Sequence, residues 1–309
     1  MRMIVGLAYD LSTNHRLPGH LTGEPAGSAD AVGWPCQTEG RHGRVNREMN
    51  VLCLLVISLL LGSCVAPGPV PADLEFRADT VGGPNSGKRA ELFQPPGPGP
   101  FSAVVVLHGC DGVGLHYRTW ARQLRDWGYA AMLVDSFTPR GVTNVCNHGT
   151  IVSPLVQAQD AFAAADYLRR SRDIRADRIG VIGFSHGGWA VLKAVLQDNV
   201  RQDHATPFVA AVAFYPGCES AGSALATDTL ILIGGADDWT SPAACQRWYD
   251  LARRAGHELQ LKVYPGAPHG FDSWHIPGWY AGHYTGRDPA AAEDATALTR
   301  EFLARHLAP

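Results

Sequence analysis

What the 309-residue sequence lacks already narrows its chemistry. Lys and Arg total 26 against 29 Asp and Glu, for a formal net charge of -3. With no basic run among them, there is no electrostatic footprint for a nucleic-acid backbone, and small neutral substrates remain open. No apolar run reaches the ~20 residues that a membrane-spanning helix needs, and the longest, Val51 to Leu61, is about half that. There is no Cys-x-x-Cys pair to suggest a zinc ribbon or a thioredoxin-like site, and no His-Glu-x-x-His to suggest hydrolytic metal chemistry. Internal repeats and low-complexity tracts are absent. The stretch Gly82-Gly83-Pro84-Asn85-Ser86-Gly87-Lys88 nearly spells a phosphate loop, but Arg89 stands where a Ser or Thr should ligate magnesium. A hairpin turn is the better reading. What is present, 46% hydrophobic and 18% charged residues, suits a globular chain with a substantial core.

The Val51 to Leu61 run ends in Gly62-Ser63-Cys64-Val65 and Pro-rich sequence, so residues 49–66 read as an export signal rather than an anchor. Leu61-Gly62-Ser63-Cys64 resembles the lipobox of bacterial lipoproteins, which implies lipidation at Cys64; an ordinary secretory signal is the alternative. Residues 1–48 are rich in Gly, Pro, His and Ser without sustained periodicity, and Met49 directly precedes the apolar run. They read as a non-native or disordered extension, leaving 67–309 as the body. Cys36, Cys53 and Cys64 lie in the leader, and Cys110, Cys146, Cys218 and Cys245 in the body. Four cysteines fit two disulfides in an oxidising compartment, with three connectivities open. The expected location is periplasmic, envelope-anchored or secreted.

In the body, short β-rich runs alternate with helical patterns, which predicts one domain with a mostly parallel sheet and helices on both faces. Eight strands are expected: Leu74 to Ala78, Ala90 to Phe93, Ser102 to Leu107, Ala130 to Val134, Ile179 to Phe184, Phe208 to Phe214, Thr229 to Ile233 and Leu259 to Tyr264. Helices are expected over Tyr117 to Trp127, Pro154 to Arg170, His186 to Leu196, Pro242 to Ala255 and Ala290 to His306.

Gly183-Phe184-Ser185-His186-Gly187 falls where a buried strand turns into a helix, the context of a nucleophile elbow. The flanking glycines remove Cβ atoms that would collide at so sharp a turn, and Ser185 is the candidate nucleophile. A serine hydroxyl needs a base and the base needs an orienting acid. Two later loops supply them: Asp237-Asp238-Trp239 after one strand and Pro268-His269-Gly270-Phe271 after the last. The chain order Ser, Asp, His is that of α/β-hydrolases.

Together with the His108-Gly109-Cys110 loop and the Asp135 to Gly141 loop, these motifs resemble the dienelactone hydrolase family, over roughly Leu74 to Leu307. The resemblance implies an α/β-hydrolase fold and a Ser185, Asp238, His269 triad, the acid standing three residues after Gly235 and four before Pro242. Asp237 is the runner-up. It also implies an oxyanion hole from the backbone N–H groups of Cys110 and His186, and disulfides Cys110–Cys146 and Cys218–Cys245 between loops of neighbouring strands. His108 reads as a structural hydrogen-bonder. The founding members carry a Cys nucleophile and a Glu near the oxyanion strand where this chain has Ser185 and His108, which favours a general ester hydrolase. Arg140 is a candidate for orienting a substrate carboxylate, although an internal pair with Asp135 or a carbonyl is the better reading, and Tyr117, Phe137, Trp239 and Trp274 are candidate pocket walls. The expectation is a hydrolase of small esters or lactones without metal or organic cofactor, touching a membrane only through Cys64. The alternatives are a peptidase or polyester hydrolase on the same triad, or a non-catalytic envelope binding protein.

Overall fold

Uninterrupted apolar runs leave a strand no edge for water and force it between two layers. β3 (Phe101–Leu107) and β7 (Asp228–Gly234) come near this, each buried at all but its first residue, with Ser102 and Thr229 as their buried polar residues. They belong to an eight-stranded sheet with β1 (Ala72–Arg77), β2 (Gly87–Phe93), β4 (Ala130–Asp135), β5 (Ile174–Phe184), β6 (Ala210–Phe214) and β8 (Leu259–Tyr264). The strand order is β1-β2-β4-β3-β5-β6-β7-β8. β1 and β2 are antiparallel to their neighbours and the other pairings are parallel. The computed structural model describes residues 72–77, 87–203, 205–219, 224–253, 256–274 and 276–308. The leader readings, residues 1–48, the 49–66 signal and Cys64, lie outside these.

Among the described residues six α-helices accompany the sheet: α1 (Leu115–Asp126), α2 (Pro154–Arg169), α3 (His186–Ala194), α4 (Gln197–Gln202), α5 (Pro242–Ala252) and α6 (Pro289–Leu307). Three begin alike, with Pro at the first turn and an oxygen capping a backbone N–H: Ser153 for Val156, Ser241 for Ala244 and Asp288 for Ala291. Two glycines of β5 show how the layers close. Positions 180 and 183 point to opposite faces of the strand. A Cβ on Gly180 would press on Leu307 of α6, and one on Gly183 would overlap the Gly187 carbonyl and Val191 of α3. α3 and α6 therefore cover opposite faces of the sheet, each too close for a side chain beneath it. Among the described residues, no helix is long and apolar enough to cross a membrane.

Three features depart from the sequence expectation. β5 starts at Ile174 rather than Ile179, because Ile174 pairs with Phe101 ahead of a register shift and the polar Arg175 to Arg178 stretch hides that pairing. α4 is a short extra turn. After β8 a two-stranded hairpin, β9 (Gly278–Tyr280) and β10 (His283–Thr285), closes over the carboxyl end of the sheet.

Parallel topology puts the loops after β3, β4, β5, β6, β7 and β8 at one rim, where ligand sites of open α/β sheets form. Two disulfides brace it. Cys110–Cys146 ties the loops after the adjacent strands β3 and β4, and Cys218–Cys245 ties the segment after β6 to α5, which follows the neighbouring β7. Both pairings are those the family's strand order implied, and they suit an oxidising compartment.

Candidate active site

Ser185 sits between β5 and α3 with φ 53° and ψ -113°, a conformation rarely adopted by a residue with a Cβ. The chain can turn there because its neighbours are bare. A Cβ on Gly187 would overlap the Leu107 and His108 carbonyl oxygens. The turn presents Ser185 Oγ to His269, whose Nε2 lies 2.9 Å away.

His269 Nδ1 lies 2.8 Å from Oδ2 of Asp237, whose side chain has no exposed surface. Asp237 Oδ1 accepts the backbone N–H groups of Trp239 (2.9 Å) and Thr240 (2.8 Å), and Thr240 Oγ1 reaches Oδ2 at 2.9 Å. The expectation of Asp238 as the acid is therefore corrected. By closing its turn onto the two N–H groups that follow, Asp237 aims its other oxygen at the imidazole. Asp238 faces the opposite way, 3.5 Å from His283 Nδ1 and accepting the Tyr284 N–H at 3.2 Å. These contacts tie it to the β9–β10 hairpin. Residue spacing within the loop could not show which of two adjacent carboxylates the turn would bury.

These groups open on a cavity of about 410 Å³ whose lining includes Cys110, Asp111, Tyr117, Tyr215, Trp239 and Trp279. Tyr215 follows β6 with φ 35° and sets its ring edge-on to His269, centroids 4.7 Å apart. Its hydroxyl donates at 2.8 Å to Asp272, which also takes the Trp120 indole N–H at 2.7 Å. Burial, reinforced by Asp272, pushes the Tyr215 hydroxyl well above the ordinary phenol range; burial and Asp111 do the same for Tyr117. Both stay protonated donors.

A match to the model of the dienelactone hydrolase family spans residues 89–307, nearly the whole described body. The chain belongs to that family of carboxylic ester hydrolases. It is 24% identical over 246 residues to a Bradyrhizobium protein assigned as a 2-oxo-3-(5-oxofuran-2-ylidene)propanoate lactonase, covering 74% of this chain and 93% of the relative. Its fold resembles a dienelactone hydrolase-like promiscuous phosphotriesterase from metagenomic libraries, with TM-score 0.64, 20% identity, and 76% and 98% of the two chains covered. It also resembles a propionate-bound thermophilic esterase of Thermogutta terrifontis, with TM-score 0.58, 20% identity, and 78% and 97% covered.

Not every candidate binding or wall residue of this dienelactone hydrolase family member reaches the cavity. Arg140 does not face the cavity. Its guanidinium makes a bidentate pair with buried Asp160 (2.7 and 2.9 Å) and donates to the Ser136 carbonyl at 2.6 Å, since a planar fork is satisfied best by a carboxylate and a nearby carbonyl. Phe137 is fully buried with Val145 and Val152, under the loop rather than on the pocket wall. Trp274 points outward beneath the Arg287 guanidinium, 4.0 Å from its ring centre. Tyr117 and Trp239 do line the cavity, as expected.

His108 is a buried structural group. Its Nδ1 lies 2.7 Å from the Gly109 carbonyl and its Nε2 accepts the Ser136 N–H at 3.2 Å, so only the neutral ring fits; burial lowers its pKa accordingly. The His186 imidazole is likewise packed away. Its Nδ1 faces Gln157 Oε1 at 2.8 Å and its Nε2 the Gly149 carbonyl at 3.0 Å, so the neutral ring, favoured by burial, donates to one at a time. Tyr215, Asp272 and the hairpin escaped the sequence reading. The buried Tyr and Asp carry no motif, and each hairpin strand is too short to show alternation.

Proposed function

We propose that this chain is an exported serine hydrolase that cleaves carboxylic esters, and lactones by the same chemistry, through a covalent acyl-enzyme. The continuous line from Ser185 Oγ to His269 Nε2 and from His269 Nδ1 to Asp237 Oδ2 carries the reading. His269 takes the hydroxyl proton as Ser185 Oγ attacks the ester carbonyl. Asp237 keeps the other imidazole nitrogen protonated and stabilises the imidazolium. The tetrahedral oxygen is received by the backbone N–H groups of Cys110, which lines the cavity, and of His186, the first residue of α3. His269 then returns the proton to the departing alkoxide, and a water activated by the same base releases the acid. Export led by residues 49–66 places this chemistry outside the cytoplasm, in keeping with the two disulfides.

A p-nitrophenyl ester assay tests the proposal. The wild type is expected to turn the ester over, and Ser185→Ala to lose on the order of 10⁴- to 10⁶-fold in kcat. A fluorophosphonate should transfer its phosphonyl group, with loss of fluoride, to the peptide bearing Ser185. An adduct elsewhere, or full activity in Ser185→Ala, would overturn the assignment.

A further inference from the structure

Around the cavity, cationic and protonatable side chains are matched with carboxylates of their own. Arg140 is engaged by Asp160. His116, on the cavity wall, has Nε2 3.4 Å from Asp272 Oδ2. His283, stacked on Trp239 with centroids 4.7 Å apart, lies against Asp238. Arg287 covers Trp274 and donates to the Asp272 carbonyl at 3.3 Å, outside the cavity lining. His269 is held by Asp237.

Asp111 is matched differently. It is exposed at the cavity beside Cys110, and its carboxylate accepts the Tyr117 hydroxyl at 2.6 Å. Among the described residues it meets no guanidinium or ammonium, and the described lining contains no Lys or Arg. Much of the remaining wall is aromatic or aliphatic, with Trp239, Ile276, Trp279 and Tyr280 prominent. Ile276 and Trp279 are 91% and 74% exposed, apolar surface that an apolar substrate would cover.

We infer that this pocket selects uncharged, apolar esters, and that Asp111 is the specificity-determining residue that turns away substrates bearing a carboxylate. The inference rests on the esterase reading and names the substrate class of that site. An entering carboxylate gives up hydration and gains no cation in return. It also faces the electron-rich surfaces of aromatic rings and the like charge of Asp111. Two like charges several ångströms apart at a partly exposed site disfavour binding on the order of tenfold. A neutral ester of the same size suffers none of this and buries its apolar surface on the rim.

The test compares 4-carbamoylphenyl butyrate with 4-carboxyphenyl butyrate, a matched neutral and anionic pair. The readout is the ratio of kcat/KM, neutral over anionic, normalised to hydroxide-catalysed hydrolysis of the same two esters. Wild type is expected to favour the neutral ester by about tenfold or more. Asp111→Asn retains an acceptor for the Tyr117 hydroxyl and should lower the ratio several-fold. Ile276→Arg, which puts a cation at an outward position, should lower it as well. A wild-type ratio near or below one, or a ratio unmoved by Asp111→Asn, would overturn the inference while leaving the esterase standing. Failure of the wild type to hydrolyse either ester would bring down both.

Discussion

On the sheet side of the cavity, Ser185, His269 and Asp237 are held by backbone that has no room to move: glycines packed against carbonyls, a carboxylate saturated by four donors, and Phe214 and Phe271 fully buried nearby. On the hairpin side, Trp279, Tyr280 and Tyr284 stand in solvent on two three-residue strands, with Ile276 exposed just ahead of them. Polar clasps hold that hairpin, namely Asp238 to Tyr284 and Asn144 to the Tyr280 hydroxyl at 3.0 Å. Reaction chemistry needs sub-ångström placement and sits where packing supplies it. The exposed apolar surface of the cavity rim tolerates variation and sits where surface clasps suffice.

The adjacent aspartates give the hardest test of this division. Asp237→Asn should lower kcat by about 10³- to 10⁴-fold, because the amide no longer supports the imidazolium. Asp238→Asn should leave kcat within a few-fold and act mainly on KM, since it loosens only the hairpin. Steady-state kinetics on one soluble ester decide it, and equal losses in kcat would erase the contrast.

The disulfides offer a second comparison. Each closes a loop, of 36 and 27 residues, worth about 3 to 4 kcal/mol in the chain-entropy picture. Cys218 and Cys245 are buried at 3% and 0% exposure, while Cys110 and Cys146 are half-buried beside the hairpin. Mild reductant without denaturant should therefore open Cys110–Cys146 first. Alkylation followed by peptide mapping checks the order, and simultaneous opening would show that the two sides yield together.

The smallest effect concerns pH. Burial holds His108 below its ordinary pKa, so near pH 6.5 the unfolded chain binds a proton that the folded chain refuses. Stability should fall as pH drops below about 6.5, by at most about 1.4 kcal/mol per unit from this group, and His108 adds no slope above that pH. Urea midpoints between pH 5 and 7.5 should show a shallower acid slope in His108→Asn than in wild type. Identical slopes would mean that His108 is not refused its proton.

The parts most readable from sequence were those in which local pattern and tertiary role coincide. The buried runs of β3 and β7 are apolar apart from Ser102 and Thr229, and Ser185 lies in a glycine frame that few other structures require. The disulfide partners followed once strand order was supplied by family resemblance. Where several local choices suited the same chain, sequence did not decide. Asp237 and Asp238 are chemically identical until the turn closes, and for Arg140 the sequence offered a substrate, Asp135 or a carbonyl but did not point to Asp160, which α2 brings beside it. The hairpin was hidden for another reason. Its turn residues, Ala281 and Gly282, both adopt positive φ (49° and 88°), and alanine gives no warning of that.

One small contact joins the two sides. His269 forms a backbone bridge to Thr285 of β10, and its carbonyl accepts the Gly286 N–H at 3.1 Å. The segment that bears the imidazole facing Ser185 is thus stitched to the hairpin that edges the cavity. Loop grafts meant to broaden the clientele of this enzyme would tug on that seam, and reaction speed would drift along with preference unless residues 285 and 286 were spared.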